Sequence, residues 1–275
     1  MSIKNSESAV VTILLPHYRT PELAKLCLRS LKKHTDLNQV KVIAIDNNSA
    51  DDSVDYLRSL QWITLIERKT IQDETPSESH VRAMALGMEQ VSTPYVLSLH
   101  TDTIVTSDNW LDFLLDLIDA EANTAGVGSW KLEYKPPIKR WLKAIETFWQ
   151  LKIWYPITGQ GSGKVVGAGT NHYFLRSHCA LYKTDLVRQY TDGFGDSGEC
   201  AGKGMHRKLA EQGFKLIFIP SETLINYMTH LNHATMILNP EIAGKKTGKP
   251  KARKRMKKEL RSIGYSQILN DSSLD

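Results

Sequence analysis

The chain has few cysteines, no long apolar run and no recognisable export signal. Its 275 residues include three cysteines, Cys27, Cys179 and Cys200, which are far apart and form no C-x-x-C pair. This spacing argues against a disulfide framework and a thiolate zinc site, and it fits a reducing compartment. No apolar run approaches the roughly 18–20 residues that cross a bilayer. Residues 1–8 are polar and lack the regions of a signal peptide, so we expect a cytoplasmic protein.

Two common phosphate-binding patterns are also missing. The glycine-rich stretch GQGSGKVVGAG (159–169) contains a lysine after a glycine, but Val165 follows where the phosphate-binding loop requires a hydroxyl residue. No G-x-G-x-x-G follows the first apolar segment, so a dinucleotide site is not predicted. We therefore interpret 159–169 as a mobile loop of an active site.

Positive charge is concentrated near the end of the sequence. Residues 245–261 contain ten lysines or arginines and one acid, whereas the whole chain has a net charge of only +5. The rest of the chain is therefore mildly acidic. Such a tail suits an anionic lipid surface or nucleic acid, and it is also typical of a solvated, disordered end. Because the tail has no interleaved aromatic residues, nucleic acid is the less favoured partner.

Apolar strands alternate with amphipathic helices through the first half of the chain. The pattern predicts strands at 10–15, 40–45, 62–66 and 95–99 and helices at 21–33, 53–60, 80–90 and 110–120. Alternation with short loops implies βαβ units with right-handed crossovers. The predicted fold class is therefore α/β, with a mostly parallel open sheet that has helices on both faces.

The second half is less regular. We predict strands at 125–130, 172–176 and 214–219, a strand-like stretch at 223–228, and helices at 141–154, 183–190 and 204–212. The segment 135–156 places Trp141, Trp149 and Trp154 on a helix that basic residues flank. Such a helix suits a membrane interface or a cover over a lipid-linked molecule. Packing of its aromatic face on the core is the alternative.

Two carboxylates follow apolar strands of the first half. Asp46 ends the run 40–46, and Asp102 comes shortly after the strand at 95–99. In open α/β sheets, ligands bind outside the carboxyl ends of the strands. We therefore expect both acids to face one ligand pocket.

Four segments of the chain carry a recognisable family pattern. They are VTILLPHYRTPELAKLCLRSL (11–31), VKVIAIDNNSADDS (40–53), SHVRAMALGM (79–88) and TPYVLSLHTDTIV (93–105). In this order and spacing they resemble family-two glycosyltransferases of the GT-A fold, over roughly residues 9–235. The resemblance implies an inverting enzyme that takes a sugar from a nucleotide diphospho-sugar.

The resemblance assigns donor-binding roles to residues at two strand ends. Pro16 and Tyr18 correspond to a P-x-Y turn against the nucleotide, with Arg19 in place of the usual asparagine. Asp46 corresponds to the acid that contacts the nucleobase or its ribose, and Asn48 belongs to the same turn. A turn-forming, capping role is the structural alternative for Asp46.

The same resemblance places the donor diphosphate near two further segments. Arg82 lies near the helix that faces the diphosphate, and His100, Thr101 and Asp102 occupy the position of the D-x-D motif. The last acid of that motif holds a divalent metal, so Asp102 is the expected ligand of Mn²⁺ or Mg²⁺. His100 replaces the first aspartate of the motif, and an imidazole ligand favours Mn²⁺.

A general base and further metal ligands are expected in the second half. In the family, the base is an acid just before a helix that ends in glycine. Glu199 is the expected base and Asp196 the second candidate, although Cys200 replaces the acid of the family's E-D pair. Many members also have a histidine ligand late in the domain, so His230 and His233 are candidates for metal binding.

These assignments predict one catalytic domain with short extensions. The expected parts are a disordered N-terminus (1–8), a domain at 9–240 with a nucleotide-sugar half (9–110) and an acceptor half (111–240), and a basic tail (241–275).

The predicted function is metal-dependent, inverting transfer of a sugar to a hydroxyl acceptor, in cell-surface glycan synthesis. The acceptor would be a glycan or a lipid-linked molecule, and the segments 135–156 and 245–261 would bring the enzyme to the inner face of a membrane. A catalytically silent nucleotide-sugar-binding homologue and a nucleotidyltransferase-like enzyme are the alternatives.

Overall fold

Strands and helices alternate along the chain, as the hydrophobic pattern predicts. The structure, a computed structural model, describes residues 9–132, 137–158, 172–231, 234 and 250–275. The strands in these parts are β1 (Val11–His17), β2 (Val40–Asp46), β3 (Ile63–Glu67), β4 (Tyr95–Leu99), β5 (Thr103–Val105), β6 (Thr124–Gly128), β7 (Cys179–Lys183), β8 (Lys215–Phe218) and β9 (Met228–His230). The helices are α1 (Pro21–Lys33), α2 (Asp52–Ser59), α3 (Pro76–Glu89), α4 (Trp110–Asp119), α5 (Pro137–Trp149), α6 (Tyr155–Thr158), α7 (Thr184–Tyr190), α8 (Lys203–Glu211), α9 (Ser221–Leu224), α10 (Pro250–Ser262) and α11 (Tyr265–Asn270).

Seven strands form one sheet in the order β3-β2-β1-β4-β7-β6-β8, and β5 pairs with β9 in a separate two-stranded sheet. β1 runs parallel to β2 and β4, β2 to β3, and β6 to β8. β7 runs antiparallel between β4 and β6. The predicted mostly parallel α/β sheet is thereby confirmed. The carboxyl ends of β1, β2 and β4 meet at one edge, where His17 lies opposite Asp46.

Apolar side chains of the sheet fill two cores, one on each face. Ile13 and Leu15 of β1 belong to the core that α1, α2 and α4 cover. Leu14, between them, belongs to the other core, with Met84 of α3 and Met205 of α8. Successive side chains of a strand point to opposite faces, so this division follows from the sequence. The prediction of helices on both faces is confirmed.

Helix α3 begins one turn earlier than the sequence analysis predicts. Thr75 caps it, because Thr75 Oγ1 accepts from Glu78 N at 3.3 Å and the Glu78 carboxylate accepts from Thr75 N at 2.9 Å. Pro76 takes the first helical position, where its missing N–H costs nothing. The apolar stripe begins only at Val81, which is why periodicity alone places the start too late. His80 consequently lies within the helix.

Two predicted strands of the second half are wrong. Residues 172–176 form no strand, and the strand in this region is β7, which begins three residues after the predicted strand ends. Its apolar part is only Ala180-Leu181-Tyr182, too short to stand out as a strand of its own. The stretch 223–228 contains the end of α9 and only the first residue of β9. β9 has three residues and depends on its pairing with β5.

Residues 250–275 pack against the first helix. Met256 of α10 and Ile268 of α11 are buried in the same core as α1. Arg29 of α1 is buried, and its Nε donates to Asp275 Oδ1 at 2.8 Å. The Tyr56 hydroxyl donates to the same carboxylate oxygen at 2.9 Å. The described part of the predicted tail 241–275 therefore contributes to the core of the domain.

A helical segment with exposed aromatic residues follows β6. α5 continues through a π-helical turn, Gln150–Trp154, into α6. The side chains of Trp141, Trp149 and Trp154 are 65%, 57% and 60% exposed. The alternative that this aromatic face packs on the core is therefore wrong for these residues. In the described parts of the chain, no helix combines the length and apolar character that a membrane span requires.

Candidate active site

A cleft of about 690 Å³ opens at the edge of the sheet where β1, β2 and β4 end. Its walls are the turns after these strands, the beginning of α3, residues 130–132, residues 176–178 and part of β9. Of the residues predicted from the sequence, the cleft is lined by Pro16, Tyr18, Arg19, Asn48, His100, Thr101, Asp102 and His230. Most of the predicted donor-binding residues thus meet at one place.

Three of these residues form a group with the donor atoms for a cation. The ligand atoms of His100, Asp102 and His230 all lie within 4.8 Å of one another. His230 Nε2 is 3.2 Å and His100 Nδ1 is 3.8 Å from Asp102 Oδ1. The pairing of β5 with β9 produces this arrangement, because it aligns Thr103 with His230. Two imidazoles and a carboxylate fit a divalent transition-metal ion.

The chain holds Asp102 so that one carboxylate oxygen faces the two histidines. Asp102 Oδ2 accepts from the backbone N–H of Ala234 at 3.2 Å, and the Asp102 carbonyl accepts from Leu231 N at 2.8 Å. Asp102 Oδ1 is buried and is the oxygen that lies 3.2 Å from His230 Nε2. Burial by itself would raise the pKa of Asp102, but His230 outweighs this and keeps the pKa below its ordinary value. Asp102 is therefore an anion poised to bind a cation.

Two further histidines surround this group, and the sequence analysis missed both. Ser177 Oγ lies 2.9 Å from His100 Nε2 and 3.1 Å from His80 Nε2. The His178 ring stacks on the His230 ring with 4.8 Å between centroids. Burial lowers the pKa of His80 to about 4 and that of His100 to about 3. Both rings are therefore neutral at pH 7, which is the form that binds metals.

Arg176 is a cation in the wall of the cleft, and no motif pointed to it. Its guanidinium lies 4.2 Å from the centre of the Trp130 ring and 4.9 Å from that of Phe174. Arg176 Nε is buried and has no hydrogen-bond partner among the described residues. Burial lowers the pKa of Arg176, yet arginine stays protonated in proteins. This positive charge is available to an anionic ligand.

The turns after β1 and β2 form the opposite wall. Arg19 and Asn48 have backbone φ values of 44° and 63°, in the left-handed region that non-glycine residues rarely adopt. The Arg19 guanidinium lies 5.2 Å from the centre of the Tyr18 ring, and Arg19 N donates to Ser49 Oγ at 3.0 Å. The two turns are therefore tied together.

Asp46 is not among the described residues that line the cleft, and it borders a smaller neighbouring depression together with Asn48. The expected convergence of Asp46 and Asp102 on one ligand stays a prediction. The Asp46 carboxylate accepts a hydrogen bond from Ser49 N at 3.1 Å and another from the Ser49 hydroxyl. Asp46 is buried and shapes the turn that presents Asn48. The capping alternative considered for this residue describes its observed role.

Arg82 also lies away from the cleft. Its side chain is 54% exposed, and Arg82 Nε is 3.4 Å from Glu74 Oε1. Within α3, the residues that line the cleft are Pro76, Ser79 and His80. The helix that the family pattern indicates does border the cleft, but its bordering residues lie about one turn before Arg82.

The two candidate bases are not among the described lining residues of the cleft. Asp196 is buried, and its carboxylate accepts from Asp192 N at 2.9 Å, Ser197 Oγ at 2.6 Å and Lys208 Nζ at 3.0 Å. Glu199 is partly exposed, and its Oε1 accepts from Lys203 Nζ at 3.0 Å. His233 and the glycine-rich loop 159–169 lie outside the described residues.

The fold and the cleft define a glycosyltransferase of the GT-A type, with a binding edge at the ends of parallel strands. The sequence profile described as Glycosyl transferase family 2 matches residues 12–191, which is more than half of the chain. The chain belongs to this family. The comparison with curated proteins found no match.

Solved structures of glycosyltransferases share the fold. Mannosyltransferase PcManGT from Pyrobaculum calidifontis, in complex with GDP-Man and Mn2+, is 14% identical with a TM-score of 0.51, covering 95% of this chain and 72% of that one. S. aureus TarS 1-349 in complex with UDP-GlcNAc is 11% identical with a TM-score of 0.49, covering 94% and 70%. Glucosyl-3-phosphoglycerate synthase from Mycobacterium tuberculosis, with Mn2+, UDP and glucosyl-3-phosphoglycerate, is 14% identical with a TM-score of 0.48, covering 93% and 80%.

Proposed function

We propose that this glycosyltransferase moves a sugar from a nucleotide diphospho-sugar to a hydroxyl acceptor, with inversion and with a divalent cation at His100, Asp102 and His230. The observation that carries the proposal is the grouping of these three ligand atoms in the wall of the cleft at the ends of β1, β2 and β4. PcManGT, which shares the fold, binds GDP-Man with Mn2+. Membership of family 2 supports the reaction class.

The cleft offers a separate role to each of its walls. The turn residues Tyr18, Arg19 and Asn48 would hold the nucleoside, because they border the cleft at the ends of β1 and β2. The cation, when bound, would neutralise negative charge that develops on the leaving diphosphate. Arg176 would add a second positive charge to the same leaving group. Pro16 and Thr101 would shape the floor between these groups.

Glu199 remains our proposed general base, because Asp196 already accepts three hydrogen bonds. We expect Glu199→Gln to lower kcat by about 10²–10⁴-fold, the usual contribution of general-base catalysis. Steady-state kinetics test this, and the affinity for the nucleoside diphosphate should stay unchanged. An unaltered kcat would show that another group is the base.

The acceptor is proposed to be a glycan or a lipid-linked molecule of cell-surface glycan synthesis, used at the inner face of an anionic membrane. Support comes from the exposed aromatic face of α5 and α6 and from the exposed Lys143 and Lys152 on the same segment. Exposed Lys254 and Lys257 of α10 add positive charge. A helix of this composition lies in the interface of a membrane, and basic residues strengthen its attraction to anionic lipid.

The decisive experiment is a donor panel with Mn²⁺. The purified protein is incubated with UDP-, GDP-, dTDP- and CDP-sugars and a lipid extract, and released nucleoside diphosphate is measured. We expect release with one nucleotide class, loss of release in Asp102→Asn, and a product of inverted anomeric configuration by proton NMR. Nucleoside diphosphate binding without release from any donor would instead favour a silent homologue. Release of inorganic pyrophosphate from a nucleoside triphosphate and a sugar 1-phosphate, supplied in place of the nucleotide-sugar, would favour a nucleotidyltransferase.

A further inference from the structure

Ser177 connects two histidines of the cleft. Its Oγ is 2.9 Å from His100 Nε2 and 3.1 Å from His80 Nε2. A serine hydroxyl has one proton to donate and two lone pairs that accept. Ser177 can therefore donate to at most one of the two nitrogens, so at least one of the two histidines donates to Ser177. The directions of the two hydrogen bonds are linked.

The direction of these bonds decides which form of His100 faces Asp102. A neutral imidazole binds a cation through its unprotonated nitrogen and donates its other N–H to a neighbour. When His100 Nε2 donates to Ser177, and Ser177 donates to His80, the Nδ1 lone pair of His100 faces Asp102. In the opposite direction, Nδ1 carries the proton and points at the Asp102 carboxylate, 3.8 Å away. Only arrangements in which His100 Nε2 donates to Ser177 give a third ligand.

We propose that Ser177 and His80 are positioning residues that present His100 as a nitrogen ligand. The site consequently binds Mn²⁺ or a similar transition-metal ion in preference to Mg²⁺. The inference rests on the proposed cation-dependent function. Mg²⁺ binds oxygen ligands and gives up its waters reluctantly, whereas imidazole suits transition metals. The ligand set here has two imidazoles and one carboxylate. Ser177 belongs to the segment before β7 and His80 to α3, so two separate elements fix the ring.

The neighbouring ligand His230 is held in a comparable way. The His178 ring stacks on it with 21° between the planes, and His178 Nε2 lies 2.8 Å from Ser129 Oγ. Both nitrogen ligands are therefore supported by another histidine that a serine hydroxyl orients. Loss of a supporting hydrogen bond, such as that between Ser177 and His100, typically changes metal affinity by about 10–100-fold.

The proposal is tested by calorimetric titration of the metal-free protein with MnCl₂ and with MgCl₂. Each titration is done with and without UDP or GDP. Wild-type protein should bind Mn²⁺ more tightly than Mg²⁺. Ser177→Ala should lose about 10-fold or more in Mn²⁺ affinity, with little change for Mg²⁺, and Ser177→Thr should restore the loss. Ser53→Ala is the matched control, because Ser53 Oγ lies 2.7 Å from the buried His17 Nε2, outside the cation group.

Pulsed electron paramagnetic resonance of bound Mn²⁺ identifies the ligands directly. Wild type should show nitrogen couplings from two imidazoles, and His100→Asp should show one and should bind Mg²⁺ and Mn²⁺ with more similar affinity. His80→Phe should resemble Ser177→Ala. Equal affinities of wild type for both cations, no Mn²⁺ binding, or a Ser177→Ala variant that matches Ser53→Ala would overturn the proposal. If the couplings appear but no donor is cleaved, the proposed function fails and this inference stands.

Discussion

Asp196 receives three hydrogen bonds from its own turn and from α8. One donor, Lys208 Nζ, is charged and lies 3.0 Å from Asp196 Oδ2. Burial alone would raise the pKa of this carboxyl, but the bonds from Ser197, Asp192 N and Lys208 outweigh it and lower the pKa. Asp196 therefore stabilises the folded protein while it is ionised, and this stability disappears as the pH falls through its folded-state pKa.

We expect Asp196→Asn to lower the free energy of unfolding at pH 7 by about 2 kcal/mol, because hydrogen bonds to charged groups contribute about 1.5–3 kcal/mol. The depressed pKa implies that the difference from wild type persists above the unfolded-state pKa of about 3.9 and shrinks below it. Urea unfolding between pH 3 and pH 7 measures both effects. Asp116→Asn, which changes an exposed acid of α4, is the control. A constant difference at every pH would contradict this account.

Arg176 lies in the cleft wall, and its buried Nε has no hydrogen-bond partner in the part of the chain that the structure describes. We expect Arg176→Gln to weaken the binding of UDP or GDP, measured by calorimetry with Mn²⁺ present, by about 10-fold or more, since charge-assisted bonds to phosphate are strong. Arg176→Lys should lose part of this affinity because lysine cannot place a planar fork on a phosphate. Arg261→Gln, which alters an exposed arginine of α10, should change nothing. Unchanged affinity in Arg176→Gln would remove Arg176 from the donor site.

At the scale of elements, the sequence predicts the long strands of the sheet and not the short ones. β1, β2 and β4 have five to seven residues with apolar runs, and their ends locate the cleft. β5 and β9 have three residues each and pair with each other, so neither is long enough to stand out in the sequence. That pairing brings His230 to Asp102 across more than 120 residues of chain. Family resemblance indicated His230 as a ligand, whereas spacing along the chain could not.

The positions of His80 and His178 beside the cation group could not be predicted from the sequence either. His80 precedes the apolar stripe of α3, and His178 and Ser177 lie in a segment that has no periodicity in the sequence. Their roles depend on distances across the fold, such as 3.1 Å from His80 to Ser177. The position of Asp46, in contrast, depends on local hydrogen bonds within its own turn. The sequence D-N-N-S at 46–49 predicts such a turn.

The exposed face of α5 and α6 carries a prediction about vesicle binding. We expect wild-type protein to sediment with vesicles that contain anionic lipid. The double variant Trp141→Glu, Trp149→Glu should remain in the supernatant, because it places charge where apolar side chains would enter the interface. Binding should weaken as salt rises. Ile225→Glu, which changes a 38%-exposed apolar residue elsewhere, is the control. Equal sedimentation of all three proteins would contradict the membrane proposal.

At the scale of the whole molecule, the basic end of the chain has two parts with different roles. α10 exposes Lys254, Lys257 and Lys258, so it offers positive charge to a partner. α11 and the residues up to Asp275 face inward, where they cover α1. The sequence predicts a single basic tail at 241–275, because its lysines and arginines far outnumber apolar residues such as Met256 and Ile268, which are buried.

Arg29 tests whether this end of the chain holds the domain together. Its guanidinium donates to the Asp275 carboxylate and to the Ile268 and Leu269 carbonyls, and Arg29→Leu leaves these acceptors without their donor. We expect a loss of about 2–3 kcal/mol in the free energy of unfolding, measured by urea denaturation, with unchanged Mn²⁺ affinity in the folded protein. Arg58→Leu, which removes a half-exposed pair with Glu67, should lower the stability much less, because exposed ion pairs contribute little. If the two variants are equally stable, the packing of 265–275 on α1 contributes little, and the segment behaves as the solvated tail that its charge suggests.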